Sequence, residues 1–309
     1  MGLEKIALNF MVKNGKGELV KSILCHTKPL KIQNIQGLRY VPKQSEDVFI
    51  KTDKSLKDTI SKLNLNSYIN DTYFIGEGVE AAIYRIENTP YLLRVPHTDT
   101  KDVWQGIWTR GKTVDGTKLD ISVSPQEKIN HVVANIGNAQ ILKYIEGCNT
   151  SSASNNIEVF NTIDNLSINS IKDFFLKIVQ AKRVGMVFDS CGANCIINSK
   201  TGKLTPIDFR ERQLSTSYLL DSLIESCVIP LKKIGGNEAQ DKLIKKGIIA
   251  ILEMLKDGKI TDRDANITFS DTLFESRTAK NMLRLYNNII KNYSAENINR
   301  IFAELKNVV

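Results

Sequence analysis

Residues 187–210 constrain the fold of this chain more than any other stretch of its sequence. Asn194 follows Asp189 after four intervening residues, and an apolar, β-type run comes directly afterwards. Gly202 then predicts a hairpin turn, and the returning run ends at Asp208. We therefore expect a hairpin whose strands bring Asn194 and Asp208 close together.

A second signal comes earlier, where glycines interrupt a series of short β-type runs over residues 73–95. Gly76, Glu77 and Gly78 stand between two such runs, and a third run follows after a turn that contains Pro90. This pattern predicts an antiparallel meander that opens with a glycine turn.

The order of these residues is that of a site for phosphoryl transfer. In such sites a glycine loop covers the phosphates, one Asp orients or deprotonates the attacking hydroxyl, and an Asn and a second Asp hold Mg²⁺. Asp189, Asn194 and Asp208 have these residue types in this order. Each motif alone is common, and the plain alternative is that the glycines form a hairpin while the Asp and Asn residues lie in turns. The joint order of the motifs favours phosphoryl transfer.

Two stretches of the chain resemble the OspG/NleH-type bacterial effector kinases, which are minimal protein kinases injected into host cells. Residues 188–210 contain a Pro-Ile-Asp motif, ending at Asp208, where other kinases have Asp-Phe-Gly. Residues 75–84 are similar to the shortened glycine loop of that family. The resemblance extends over about residues 73–212.

The resemblance implies a role for each candidate residue. Asp189 would be the catalytic-loop Asp, while Asn194 and Asp208 would bind Mg²⁺ at the phosphates of ATP. The residues implied to cover the phosphates are Gly76, Glu77 and Gly78.

The cationic residue of the phosphate site is the main departure from the family. Arg94 falls where the family has its ATP-binding lysine. We expect its partner to be Glu127, on the first turn of a helix predicted from Pro125 onward, with Val132 and Ile136 on one face. Guanidinium is larger than ammonium, planar and suited to bidentate contacts. The chain is therefore either an active kinase or a pseudokinase that binds ATP with little or no transfer. Arg210 also departs from the Asp-Phe-Gly pattern, because it stands where that motif has glycine.

These signals predict an α+β, protein-kinase-like fold with a small β-rich N-lobe and a helical C-lobe. Ser170 is expected to cap the first long helix of the C-lobe. Apolar stripes at helical spacing near the end of the chain predict extra C-terminal helices. The predicted segments are an extension of unreadable role over residues 1–69, a core over 70–235 with its N-lobe at about 70–162 and its C-lobe from about 163, and a helical extension over 236–309.

Composition and charge limit the partners that we expect. The net charge of +8 is dispersed and rich in lysine without interleaved aromatics, which favours a solvated basic surface over a nucleic-acid groove. No uninterrupted apolar stretch approaches the roughly 20 residues that a bilayer requires, so we expect no membrane span. The 5 cysteines are odd in number and scattered, which favours reduced thiols over a disulfide frame or a zinc site.

The leading functional hypothesis is a Ser/Thr protein kinase that uses ATP and Mg²⁺ to phosphorylate host or cellular proteins. The resemblance implies an effector that a specialised secretion system delivers into the host cytoplasm, and a partner that is ubiquitin or a ubiquitin-carrier conjugate. The first residues lack a signal-peptide layout, so a cytoplasmic location is expected otherwise. Two alternatives stay open, a small-molecule phosphotransferase of the aminoglycoside type and a non-catalytic module that binds a partner.

Overall fold

The computed structural model describes residues 56, 60, 62–78, 80–97, 113–153, 166–211, 218–268, 274–292 and 295–307. The chain divides into two compact units, Met1–Tyr144 and Ile145–Val309. Most of the predicted N-terminal extension lies outside the described residues, as do residues 154–165, which contain the predicted lobe boundary.

The first unit is built on one antiparallel sheet. Strands β1 (Phe74–Glu77), β2 (Ala81–Arg85) and β3 (Tyr91–Pro96) pair in sequence, which confirms the predicted meander. Three more strands complete a six-stranded sheet in the order β1-β2-β3-β6-β5-β4. They are β4 (Leu119–Asp120), β5 (Val132–Ile136) and β6 (Ala139–Lys143).

Alternate residues of this sheet enter one apolar core, because successive side chains of a strand point to opposite faces. In β3, Leu93 and Val95 are fully buried, whereas Arg94 between them is partly exposed. Two residues of the predicted extension, Ile60 and Leu65, also belong to this core. Its other buried members are Phe74, Ala82, Tyr84, Ile86, Val114, Ala134, Ile136, Ala139 and Ile141.

The helix predicted from Pro125 onward is much shorter than expected. Helix α1 spans Pro125–Ile129 and begins with a capping box between Ser124 and Glu127. Glu127 lies on its first turn, as predicted. His131 then adopts a left-handed backbone conformation with φ of 62°, which a right-handed helix cannot continue through.

The prediction that this helix includes Val132 and Ile136 is wrong, since both residues belong to β5. Val132, Ala134 and Ile136 are buried while the residues between them are not, which is the period of a strand. Gly137 turns the chain into β6 with φ of 54°, and a Cβ there would lie 1.5 Å from the carbonyl oxygen of Asp115. Only glycine fits this turn.

The second unit combines helices with short strands. Helix α2 (Thr150–Ala153) precedes the long α3 (Ile168–Arg183). A three-stranded sheet has the order β10-β9-β7, and β11 pairs with β8. The strands are β7 (Cys148–Asn149), β8 (Met186–Phe188), β9 (Cys195–Ile197), β10 (Leu204–Pro206) and β11 (Phe209–Glu211).

The cap of α3 is Ser167 and not Ser170, so that prediction is wrong. The Ser167 side chain accepts a hydrogen bond from the Ser170 amide. The Ser170 hydroxyl instead donates to Gly202 O over 2.7 Å and accepts from the Leu204 amide over 2.9 Å. Ser170 therefore fixes the β9–β10 hairpin to the first turn of α3.

The remainder of the second unit is helical, as the apolar stripes predict. A π-helical turn, Ile224–Val228, joins α4 to α5, and α5 is interrupted at Gly236 by a non-helical conformation. Stripe residues such as Ile248, Leu283 and Ile301 are buried. The helices are α4 (Leu219–Leu223), α5 (Ile229–Lys256), α6 (Asp262–Ala265), α7 (Arg277–Lys291) and α8 (Ala295–Asn307).

The fold class is therefore α+β, with an antiparallel sheet in the first unit and several helices in the second. None of the helices in the described ranges is long and apolar enough to cross a membrane.

Candidate functional site

The glycine segment of the first unit lies at the end of β1. Gly76 and Glu77 are the last residues of that strand, and the Gly78 amide donates to Ala81 O over 2.9 Å. The pairing register with β2 shifts between Phe74 and Gly76. A Cβ built on Gly76 meets no atom within 4 Å, so packing in the described residues does not require glycine at this position.

Arg94 stands in a row of polar residues that crosses the sheet. It pairs in register with Gln140 of β6, and Gln140 pairs in turn with Asn135 of β5. Directly opposed residues on neighbouring strands share one face of a sheet. This face is opposite the one that carries Leu93 and Val95 into the core.

The guanidinium of Arg94 has two partners within the described part of the chain. Its Nη1 donates to Gln140 Oε1 over 3.0 Å, and its Nη2 lies 3.1 Å from Glu80 Oε2. The Arg94 side chain is 31% exposed and that of Glu80 is 75% exposed. One arm of the guanidinium is thus held by the sheet, and the other pairs with a carboxylate near the solvent.

Glu127, the predicted partner of Arg94, is connected to it through Gln140. Glu127 Oε2 accepts from the Ser124 amide over 2.8 Å. Its Oε1 accepts from Asn135 Nδ2 over 2.9 Å and from Gln140 Nε2 over 3.4 Å. The hydrogen bond from the Ser124 amide, followed by those from the side chains, lowers the pKa of Glu127. The carboxylate is therefore anionic at neutral pH and fixed in direction.

In the second unit, the structure brings Asp189, Asn194 and Asp208 together. The Asp189 amide donates to Asp208 O over 3.3 Å, and the Ile207 amide donates to Asn194 O over 2.8 Å. Asn194 Nδ2 donates to Asp189 O over 3.0 Å and lies 3.4 Å from Asp189 Oδ2. The expected hairpin forms between β9 and β10. It closes the three residues into one cluster.

Close packing holds the loop between Asp189 and Asn194 in place. Gly192 begins a 3₁₀ turn there, and a Cβ on it would lie 2.3 Å from Ser151 Oγ and 2.7 Å from Pro230 Cγ. Thr150 Oγ1 donates to Gly192 O over 2.9 Å. Ser151 of α2 and Pro230 of α5 therefore leave no room for a larger side chain at position 192 of this loop.

Asp208 has an unusual backbone conformation, with φ of 65°. Left-handed conformations are uncommon outside glycine, although Asp and Asn adopt them more readily than most residues, often in turns. Residue Phe209 immediately resumes a strand, because it pairs with Phe188 in the β8–β11 ladder. The left-handed residue thus changes the direction of the chain between β10 and β11, beside Asp189.

Arg210 contacts the candidate catalytic Asp189. Its Nη2 lies 2.9 Å from Asp189 Oδ2, and the two side chains are 56% and 15% exposed, respectively. The sequence marks Arg210 only as a departure from the Asp-Phe-Gly pattern. Its contact with Asp189 follows from the pairing of Arg210 with Val187 across the β8–β11 ladder.

The donor set of Asn194 and Asp208 suits Mg²⁺. Carboxylate and amide oxygens are hard ligands, and Mg²⁺ at phosphate sites is held by one or two protein groups plus phosphates and water. No group of three or more His, Cys, Asp or Glu residues that could hold a metal occurs within the described ranges. Asn194 and Asp208 offer an amide and a carboxylate oxygen, which are ligand types that Mg²⁺ accepts.

No protein-family model matches this chain, and no curated protein or solved structure matches it significantly.

Sequence motifs do not identify the two residues that contact Arg94, Gln140 and Glu80. Gln140 belongs to no motif, and only the strand register places it between Arg94 and Glu127. Glu80 lies next to the glycine segment, and its charge was the one available signal. Neither residue could be assigned before the sheet was known.

Proposed function

We propose that this chain is an ATP-dependent protein kinase with a protein-kinase-like fold, in which Met1–Tyr144 is the β-rich lobe and Ile145–Val309 the helical lobe. In protein kinases the residue that binds the phosphates lies on the third strand of the sheet, after a glycine loop. Arg94 is on β3, and the glycine segment ends β1. The arrangement supports Arg94 as the phosphate-binding residue.

The observation that carries the proposal is the cluster of Asp189, Asn194 and Asp208. Their backbone and side-chain hydrogen bonds lie within 3.4 Å, although nearly twenty residues separate the first from the last. Kinases use one Asp to orient the hydroxyl and accept its proton, and an Asn and a second Asp to bind the metal ion. The left-handed backbone of Asp208 is compatible with an ordinary turn as well, so the proposal is supported by the three residue types in one cluster and not by that conformation.

The chemistry then divides among the residues as follows. Asp189 accepts the proton of the attacking hydroxyl and orients its oxygen. Asn194 and Asp208 would hold Mg²⁺, which neutralises charge on the β- and γ-phosphates when bound. Arg94 supplies positive charge to the phosphates, and Gly76 and Gly78 allow the backbone to approach them.

The acceptor that we propose is a Ser or Thr hydroxyl of a host protein, reached after secretion into the host cytoplasm. This part of the proposal rests on the resemblance of residues 73–212 to the effector kinases. The same resemblance supports ubiquitin or a ubiquitin-carrier conjugate as a binding partner.

The test is transfer of labelled γ-phosphate from ATP in the presence of Mg²⁺, to the protein itself and to a host-cell lysate. Transfer by the wild type that is abolished by Asp189→Asn and by Asp208→Asn is the expected result. Asp173→Asn is a matched control, because it removes the same charge from an exposed position on α3. Transfer that survives both substitutions at the cluster would overturn the proposal.

A pseudokinase is the second candidate, and the contacts that Arg94 makes are the observation that favours it. Arginine replaces the expected lysine, and both arms of its guanidinium already have partners in Gln140 and Glu80. Calorimetry with ATP separates the two candidates. Binding of ATP without transfer, in the presence of ubiquitin and of lysate, would establish the pseudokinase.

A further inference from the structure

Gln140 links the two residues that a kinase would join by a direct ion pair. We propose that Gln140 is the positioning residue for Arg94, and that Arg94 and Gln140 together replace the lysine–glutamate pair. The inference rests on the proposed function, since it assigns Arg94 to the phosphates of the nucleotide. Gln140 itself acts only through Arg94.

The hydrogen-bond network determines which way the Gln140 amide points. A guanidinium has donors only, and an ionised carboxylate has acceptors only. The Gln140 oxygen must therefore face Arg94, at 3.0 Å, and its nitrogen must face Glu127, at 3.4 Å. A flipped amide would lose both contacts.

Glu127 is a firm anchor for this amide. One carboxylate oxygen is held by the Ser124 amide and the other by Asn135, so the carboxylate cannot rotate without losing a bond. The same hydrogen bonds keep it ionised. A chain of hydrogen bonds thus runs from the cap of α1 through Glu127 and Gln140 to Nη1 of Arg94, and it fixes the position of that nitrogen.

This arrangement leaves Nη2 of Arg94 for an anion. In the structure Nη2 contacts the exposed carboxylate of Glu80. A guanidinium can bind Gln140 with one nitrogen and an oxyanion with the other, whereas the ammonium of lysine is a single nitrogen on a shorter side chain. Arginine at position 94 and glutamine at position 140 are therefore matched. We expect substitution of either residue to weaken nucleotide binding even when the other is kept.

The test is calorimetric binding of Mg·ATP to the full chain carrying Gln140→Met, Arg94→Met or both substitutions. Methionine keeps the length of glutamine and removes both hydrogen bonds. We expect Gln140→Met to weaken binding about tenfold, the size of a lost hydrogen bond to a charged group. In the Arg94→Met background, the same change should have no further effect, because Gln140 acts through Arg94.

A purely structural role of Gln140 would give a different result. The loss would then be equal in both backgrounds, and that outcome would overturn the inference, as would unchanged binding by Gln140→Met. Gln180→Met, on the exposed side of α3, is the matched control for the loss of an amide. Thermal unfolding of each variant checks that it is folded.

Two further variants separate this inference from the proposed function. If Gln140→Met does not fold, Gln140→Leu takes its place, since leucine also removes both hydrogen bonds and should weaken binding about tenfold in the Arg94 background alone. Arg94→Lys should also bind Mg·ATP about tenfold more weakly. Equal or tighter binding by Arg94→Lys would contradict the matching of Arg94 and Gln140 while leaving the kinase proposal intact. No binding of Mg·ATP by the wild type would instead remove the kinase proposal, and this inference with it.

Discussion

The side chains of Arg210 and Asp189 form an ion pair, with Nη2 of the arginine 2.9 Å from Oδ2 of the aspartate. The loop from Asp189 to Asn194 contains no Lys or Arg of its own. The cation beside the candidate base therefore comes from the next strand pair, β8–β11. A group held in this way has a fixed direction, which matters for a residue that must orient a hydroxyl.

We predict that Arg210→Ala lowers kcat for phosphate transfer about tenfold, the effect of roughly 1.4 kcal/mol on the barrier. Affinity for Mg·ATP should stay unchanged, since Arg210 pairs with Asp189 and not with Arg94, Asn194 or Asp208, the residues proposed to hold the phosphates and the metal. Arg210→Lys should restore part of the rate because it keeps the charge. Initial rates at saturating ATP measure this, with Arg183→Ala as a control on an exposed arginine of α3. An unchanged kcat for Arg210→Ala would contradict the prediction.

If Arg94 binds the phosphates as proposed, Glu80 would compete with them for its Nη2, which leads to a second prediction. Glu80→Gln removes the carboxylate at 3.1 Å from Nη2 and should raise affinity for Mg·ATP by about two- to fivefold, the range of an exposed ion pair. The gain should shrink at high salt, since exposed charges are screened.

Glu238→Gln is the matched control for this change of net charge. Glu238 is 78% exposed and pairs with Lys242 at 2.9 Å in the second unit. Calorimetric titrations at low and high salt compare the two variants. A weaker affinity in Glu80→Gln would mean that Glu80 supports nucleotide binding and does not oppose it.

The sequence predicts the cluster of Asp189, Asn194 and Asp208 because its geometry is local. A single hairpin with a glycine turn brings the three residues together, and turn residues are readable from sequence. The link between Arg94 and Glu127 is different. It passes through Gln140, whose place depends on the register of β3, β5 and β6, and register is set by packing across the whole sheet.

The short helix α1 shows a second limit of the sequence. Val132 and Ile136 are four residues apart, which places them on one face of a helix and equally on one face of a strand. The deciding signal is local, since Gly137 and Asn138 form a two-residue turn between apolar runs that alternate. This turn signal predicts a strand on its N-terminal side, where β5 lies.

The cap of α1 predicts a dependence of stability on pH. The pKa of Glu127 is lowered in the folded protein from its ordinary value of 4.5, first by the Ser124 amide. A group of this kind stabilises the fold above its unfolded pKa, and the contribution is lost as pH falls through the lower, folded pKa.

Glutamine can still accept a hydrogen bond from the Ser124 amide, but it removes the negative charge from the first turn of α1. We therefore expect Glu127→Gln to reduce the free energy of unfolding by about 0.3–1 kcal/mol at pH 7. The difference from wild type should shrink as the pH falls below 4.5. Urea denaturation at several pH values measures it, with Asp173→Asn as a control at an exposed carboxylate of α3. A difference that is constant across this range would contradict the assigned hydrogen bonds.

Substitution of Gly76 can show whether the glycine segment covers phosphates or is a plain hairpin, and Gly192 serves as a comparison because its glycine is required by packing. A Cβ on Gly192 would overlap Ser151 and Pro230, so Gly192→Ala should destabilise the second unit by about 1–3 kcal/mol. A Cβ on Gly76 meets nothing within 4 Å, and its φ is not left-handed, so Gly76→Ala should leave stability unchanged.

If phosphates approach the backbone at Gly76, the added methyl has to displace them. Gly76→Ala should then weaken binding of Mg·ATP about tenfold, the equivalent of an overpacking cost near 1.4 kcal/mol. Thermal unfolding and calorimetry of the same two variants separate loss of fold from loss of binding. Unchanged affinity in Gly76→Ala would favour the plain hairpin, because that interpretation gives the glycine no ligand to accommodate. A loss of affinity at unchanged stability is the outcome that only a ligand at this loop explains.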